Sequence, residues 1–192
     1  MGYTIVFSRS KWYNSPTMSS MQVVTAPDER LRVKTKPVKK ISPALLQTLK
    51  EMEKVTNSFK DPEGVGLAST QIGEGEQYFI LKRKDNSFLY VFNPKIKSYS
   101  KKTKVFFEGC LSIPNYYGEV VRPIEVEVEY TTKDGTTAQA KLKGMDAWIY
   151  QHEYDHLQGK LFIDYVLEQK GRLFKVVGRD RAGAEIFEEV RL

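Results

Sequence analysis

Gly144-Met145-Asp146-Ala147-Trp148-Ile149-Tyr150-Gln151-His152-Glu153-Tyr154-Asp155-His156-Leu157-Gln158 is the stretch on which the reading of the chain turns. Its spacing predicts a helix over residues 144–158, with Met145, Trp148, Ile149, His152 and His156 on one side. Residues four apart on a helix lie one turn apart on the same face. Both imidazoles of the His-Glu-x-x-His spacing can therefore bind one cation. Glu153 stands beside them, placed to handle the protons of a bound water. The plainer reading is a pair of helix histidines next to an ordinary glutamate. Against it, these are the only two histidines in a chain of 192 residues.

A hydrolytic cation needs about three protein ligands and an open position for water. With histidine exhausted, the third ligand must be Cys, Asp or Glu. The single cysteine, Cys110, rules out an intrachain disulfide and fits a reducing compartment. A lone thiol is a core residue, a nucleophile or a metal ligand, and base rates favour the core. Here Glu108-Gly109-Cys110-Leu111-Ser112 sits where the chain leaves a strand. Gly109 is expected to permit a backbone turn that aims the sulfur inward. A thiolate with two imidazoles suits Zn²⁺ or Fe²⁺ far better than Mg²⁺ or Ca²⁺.

Outward from the helix, the pattern is β from about residue 77 to 143. Residues 77–82, 88–92, 104–107, 120–131 and 136–142 are strand candidates, with Lys133-Asp134-Gly135 as a hairpin turn. Apolar alternation near 174–177 and 184–190 marks a closing strand pair. Upstream, Ser42-Pro43 reads as N-cap and first helical residue. Leu45, Leu49, Met52, Thr56 and Phe59 follow at helical spacing, ending before Asp61-Pro62. Gly64-Val65-Gly66-Leu67-Ala68-Ser69-Thr70-Gln71 reads as a loop entering a buried stretch. The class is α+β: mostly antiparallel sheets around a central helix that carries the metal motif.

The length suits one domain, residues 21–192, with residues 1–20 as an N-terminal extension or an expression remnant. Those first residues are rich in Ser, lack acids and lack the features of a secretory signal. Cytoplasmic residence follows, or an organelle if they derive from a transit peptide. No stretch approaches the roughly 18 apolar residues of a membrane helix. The formal charge of +6 is concentrated in residues 1–40, where eight basic residues face two acidic ones. Such a region is compatible with docking near the ribosome, although a solvated basic face is the plainer reading. No sequence-specific nucleic-acid motif accompanies it.

Three segments resemble the signatures of the peptide deformylase family, in their usual order and approximate spacing. They are the stretch from Gly64 to Gln71, Glu108-Gly109-Cys110-Leu111-Ser112, and Gln151-His152-Glu153-Tyr154-Asp155-His156-Leu157. Pro27-Asp28-Glu29-Arg30-Leu31-Arg32 is similar to the family's opening, and the resemblance covers about residues 22–166. It implies an enzyme that removes the formyl group from the N-terminal formyl-methionine of nascent chains. Cys110, His152 and His156 would hold one divalent metal, Fe²⁺ physiologically, replaceable by Zn²⁺ or Ni²⁺. Metal-bound hydroxide would attack, with Glu153 as general acid and base. Gln71 and the Leu111 backbone N–H would stabilise the negative oxygen that develops.

The resemblance also implies that the N-formyl-methionyl peptide binds as an added strand along Val65, Gly66 and Gly109. Met145, Trp148 and Ile149 would line the methionine pocket, with plain core packing as the alternative. Glu108 and Arg122 would form a supporting ion pair. Three features depart from the family pattern: Ser69 in place of a second Ala, Tyr116-Tyr117 where many relatives carry a basic residue, and a C-terminal strand pair rather than a basic helix. Two other classes share parts of the pattern. A zinc endopeptidase would need Glu168 or Glu185 as third ligand, leaving Cys110 without a role. A structural metal module would close the site with a fourth protein donor.

Overall fold

Ser42 starts the first long helix as its spacing predicts. In the computed structural model, which describes residues 21–60 and 62–191, helix α1 spans Pro43–Ser58 and the Ser42 hydroxyl accepts from the Leu45 N–H at 3.1 Å. Leu45, Leu49, Met52, Val55 and Thr56 form its buried stripe. Truncating a fully buried side chain such as Leu49 to Ala costs about 2–5 kcal/mol. The expected extension at residues 1–20 lies outside the described residues.

Five strands form the sheet beneath α1: β1 (Gly66–Ala68), β2 (Tyr78–Lys82), β3 (Phe88–Tyr99), β6 (Glu125–Thr131) and β7 (Thr137–Lys143). All neighbours are antiparallel, in the order β1-β2-β3-β6-β7. Strand β2 is apolar almost throughout because both faces of the sheet are covered. Tyr78, Ile80 and Phe92 pack with Leu49 and Met52 of α1, while Phe79, Leu81 and Val91 pack on the other face. There they meet Ala147, Ile149, Tyr150 and Leu157 of helix α2, Gly144–Leu157.

A second antiparallel sheet holds β4 (Thr103–Cys110), β5 (Ile113–Pro123), β8 (Leu173–Arg179) and β9 (Glu185–Val190), in that order. Helix α3 (Phe162–Gln169) closes it, with Phe162, Ile163 and Val166 against Cys110, Ile113, Val120 and Leu173. Helix α2 therefore meets one sheet through its apolar residues and presents its histidines beside the other.

Several elements differ from the sequence reading. The single strand expected over residues 120–131 is two strands in two sheets. Pro123 ends β5 because it has no N–H to donate to the ladder, and the chain crosses at Ile124 into β6. Strand β5 itself begins at Ile113, well before the expected start, and α3 was not anticipated. The stretch expected as a loop before Gln71 contains the edge strand β1 and a 3-10 turn over Ser69–Ile72.

Candidate metal centre and active site

Helix α2 carries His152 and His156 one turn apart, with ring centroids 5.0 Å from each other. The end of β4 brings Cys110 to them. Its Sγ lies 3.3 Å from His156 Nε2. One ligand atom from each of Cys110, His152 and His156 falls within 4.8 Å of the others, and all three residues are buried. The donor set is chemically coherent: one soft sulfur and two imidazoles at the distances one cation can bridge. Burying three such groups together without a shared partner would be costly. The residues fit a single metal ion.

Gly109 does not turn the chain there. It sits extended in β4 opposite Tyr117, with a register irregularity between it and Cys110. Its lack of a side chain serves a different purpose, since a Cβ would come within 2.6 Å of the Tyr117 ring. The sulfur is aimed by the strand pairing and by the tight Leu111-Ser112 connection, across which Cys110 pairs with Ile113.

Glu153 is 3 % exposed, and its Oε2 has no hydrogen-bond partner among the described residues. Burial pushes its carboxyl up to about 7, with the charges of Asp155 and Glu108 adding to the effect and His152 opposing it. A carboxyl poised there can both accept and return a proton near neutral pH. Gln71 is also buried. Its Oε1 accepts from the Ala68 N–H at 2.8 Å, which orients Nε2 toward Ser112 Oγ at 3.1 Å and Cys110 Sγ at 3.5 Å. The amide donor thus faces the sulfur side of the centre, next to Leu111.

Behind the histidines lies a buried ionic network. His152 Nδ1 meets Glu108 Oε2 at 2.9 Å, leaving its other ring nitrogen for the centre. Arg122 holds Glu108 through Nε and through Nη2, the latter at 3.0 Å. Its Nη1 reaches Asp155 Oδ2 at 2.7 Å. Burial alone would raise the Glu108 carboxyl, but hydrogen bonds from His152 and Arg122 hold it down at about 2. For Asp155 burial prevails, and its carboxyl sits above the ordinary value despite Arg122. Burial likewise pushes His156 well below its usual value, whereas for His152 the neighbouring Cys110 and Glu108 outweigh burial and hold it well above.

The remaining sequence candidates fall in different places. Gly66 on edge strand β1 abuts Glu153, and Gly109 immediately precedes Cys110. Val65 packs partly buried against the first core. Ile149 is buried one turn before Glu153, and Trp148 stacks on Phe106 of β4 at 5.3 Å. Met145, at the start of α2, is 51 % exposed and belongs to no core cluster. Sequence reasoning missed Asp155 and Ser112 as contributors. Asp155 carried a usable signal, lying three residues after His152 within the same motif.

Residues 20–172 match the family model for polypeptide deformylase. The peptide deformylase of Rhodopseudomonas palustris strain BisA53 is 36% identical over 165 residues, covering 81% of this chain and 88% of that protein. That of Bradyrhizobium sp. strain ORS 278 is 37% identical over 164 residues, 80% of this chain and 90% of the relative. Among solved structures, peptide deformylase from Thermotoga maritima superposes with a TM-score of 0.70 at 34% identity, covering 76% of this chain and 96% of that one. The Synechococcus elongatus peptide deformylase in complex with actinonin gives a TM-score of 0.71 at 34% identity, covering 76% and 80%. The chain belongs to the polypeptide deformylase family.

Proposed function

We propose that this protein is a metal-dependent hydrolase that removes the formyl group from the N-terminal formyl-methionine of newly made polypeptides. The observation that carries the proposal is the convergence of Cys110, His152 and His156 beside a buried Glu153. Cys110, His152 and His156 would hold a divalent cation, which when bound would supply Lewis acidity toward the formyl carbonyl and the attacking water. The ligand set suits Fe²⁺ or Zn²⁺, and the family resemblance points to Fe²⁺ in the cell, replaceable by Zn²⁺ or Ni²⁺.

Glu153 takes the proton from the water and returns it to the leaving amine nitrogen, a cycle suited to a carboxyl near 7. Gln71 Nε2 and the Leu111 N–H donate to the oxygen on which negative charge develops. Glu108 and Arg122 hold His152 from behind. The peptide lies along the backbone of Val65, Gly66 and Gly109. Backbone pairing reads little side-chain identity and so suits a substrate class as broad as nascent chains. Met145, Trp148 and Ile149 would line the pocket for the methionine side chain.

Residues 21–192 form the single catalytic domain in this reading. Among the described residues no helix is long and apolar enough to cross a membrane. Cytoplasmic action on chains leaving the ribosome, with only transient ribosome contact, fits the substrate. Purified protein loaded with Ni²⁺ should release formate from formyl-Met-Ala-Ser, and Glu153→Ala should lose that activity while keeping its metal. Cleavage of an internal bond in an unformylated peptide would instead favour an endopeptidase.

A further inference from the structure

The polar chain behind the centre does not end at Asp155. Its Oδ2 is taken by Arg122, and its Oδ1 accepts from the Tyr165 hydroxyl of α3 at 3.0 Å. The Tyr165 ring also lies against the Arg122 guanidinium, with Cζ 4.9 Å from the ring centroid. Lys160 Nζ stands over the same ring at 5.0 Å. One residue therefore completes the Asp155 carboxylate and covers the Arg122 cation.

Two buried carboxylates share one guanidinium here. The arginine fork is planar and rigid, so serving both at once constrains the orientation of each carboxylate. His152 holds Glu108, and Tyr165 holds Asp155. Without the hydroxyl, one buried oxygen of Asp155 has lost its donor, which is more costly than the hydrogen bond was worth. Asp155 would then turn to find another partner and free Nη1. Arg122 would pivot about Glu108, and Glu108 fixes the His152 ring.

We propose that Tyr165 is a positioning residue of the metal centre: by closing the chain Asp155–Arg122–Glu108–His152 it holds the His152 ring in its ligating orientation and slows loss of the cation. The inference rests on the three-donor metal site proposed above. Removing an outer hydrogen-bond partner of a metal-ligating histidine typically weakens metal binding about 10–100-fold.

The test is the rate at which nickel leaves the full-length, nickel-loaded protein in excess EDTA, compared among the unaltered protein, Tyr165→Phe, Glu108→Gln and the double variant. Tyr165→Phe is expected to release nickel roughly tenfold faster. In the Glu108→Gln background, where the carboxylate that couples Arg122 to His152 has lost its charge, it should add less than about twofold. Cobalt-substituted Tyr165→Phe should also show an altered ligand-field spectrum, which a remote packing defect would leave unchanged. Release at the unaltered rate, or the same acceleration in both backgrounds, overturns the proposal. If Tyr165→Phe does not fold, Asp155→Asn must speed release in its place, and an unchanged rate there is equally contrary. Unaltered protein that binds no nickel refutes the metal site and the role of Tyr165 with it. Normal binding with an unmoved Tyr165→Phe rate refutes only the latter.

Discussion

Gly66 lies directly against the Glu153 carboxylate: a Cβ built on Gly66 would come within 2.4 Å of Glu153 Oε1 and 2.7 Å of its Cδ. Strand β1 and helix α2 thus meet through a glycine and an acid, with no room for a methyl group between them. Gly66→Ala must displace the carboxylate, and with it the general acid–base proposed for Glu153. A positioned general acid–base contributes about 10²–10⁴-fold to rate, so we expect kcat to fall by about 10²-fold. Metal content, measured by plasma emission, should remain at that of the unaltered protein. A Gly66→Ala enzyme with full kcat would separate Glu153 from the chemistry.

The role proposed for Gln71, stabilising the developing charge, can be tested separately. Its Oε1 is tied to the Ala68 N–H, which fixes the amide with Nε2 on the sulfur side of the centre, where it donates to Ser112 Oγ and Cys110 Sγ. Gln71→Leu removes the donor at similar volume. Loss of one such donor costs about 10²–10³ in kcat, and KM should move by less than about threefold because the interaction forms in the transition state. A raised KM with unchanged kcat would instead mark Gln71 as a ground-state substrate contact.

Arg122 is the cation between Glu108 and Asp155, and all three are buried. Arg122→Met leaves two buried carboxylates without their partner, a change expected to cost about 3–5 kcal/mol of stability. Urea unfolding should show a lower midpoint with an unchanged slope. Adding Glu108→Gln and Asp155→Asn should recover part of the loss, because the uncompensated charges are then removed. A cost below about 1 kcal/mol, the range of exposed pairs, would mean the network is solvated.

The parts legible from sequence were those where one residue type has few physical uses. Ser42-Pro43 announced α1 because a hydroxyl before a proline satisfies a helix start, and the structure shows that hydrogen bond. His152 and His156 are joined by their spacing alone, Cys110 is added to them by the family resemblance, and the three converge. Strand β5 was obscured because Asn115-Tyr116-Tyr117-Gly118 lacks clean alternation, although it pairs with both β4 and β8. Helix α3 has only eight residues, too few for periodicity to stand out. Gly109 was misread for a subtler reason. A glycine signals either positive φ or close approach, and only the Tyr117 ring across the ladder shows which applies. Tyr165 was invisible because Asp155, ten residues away, lies on a different helix and Arg122 on a strand, so the three meet only once α2, α3 and β5 have packed together.

Formate release measured against metal added to metal-free protein tests the central claim most directly. With formyl-Met-Ala-Ser as substrate, activity should rise linearly with Ni²⁺ and stop at one equivalent per chain. A protein that takes up its one ion and still liberates no formate would contradict the account, as would a plateau at two equivalents.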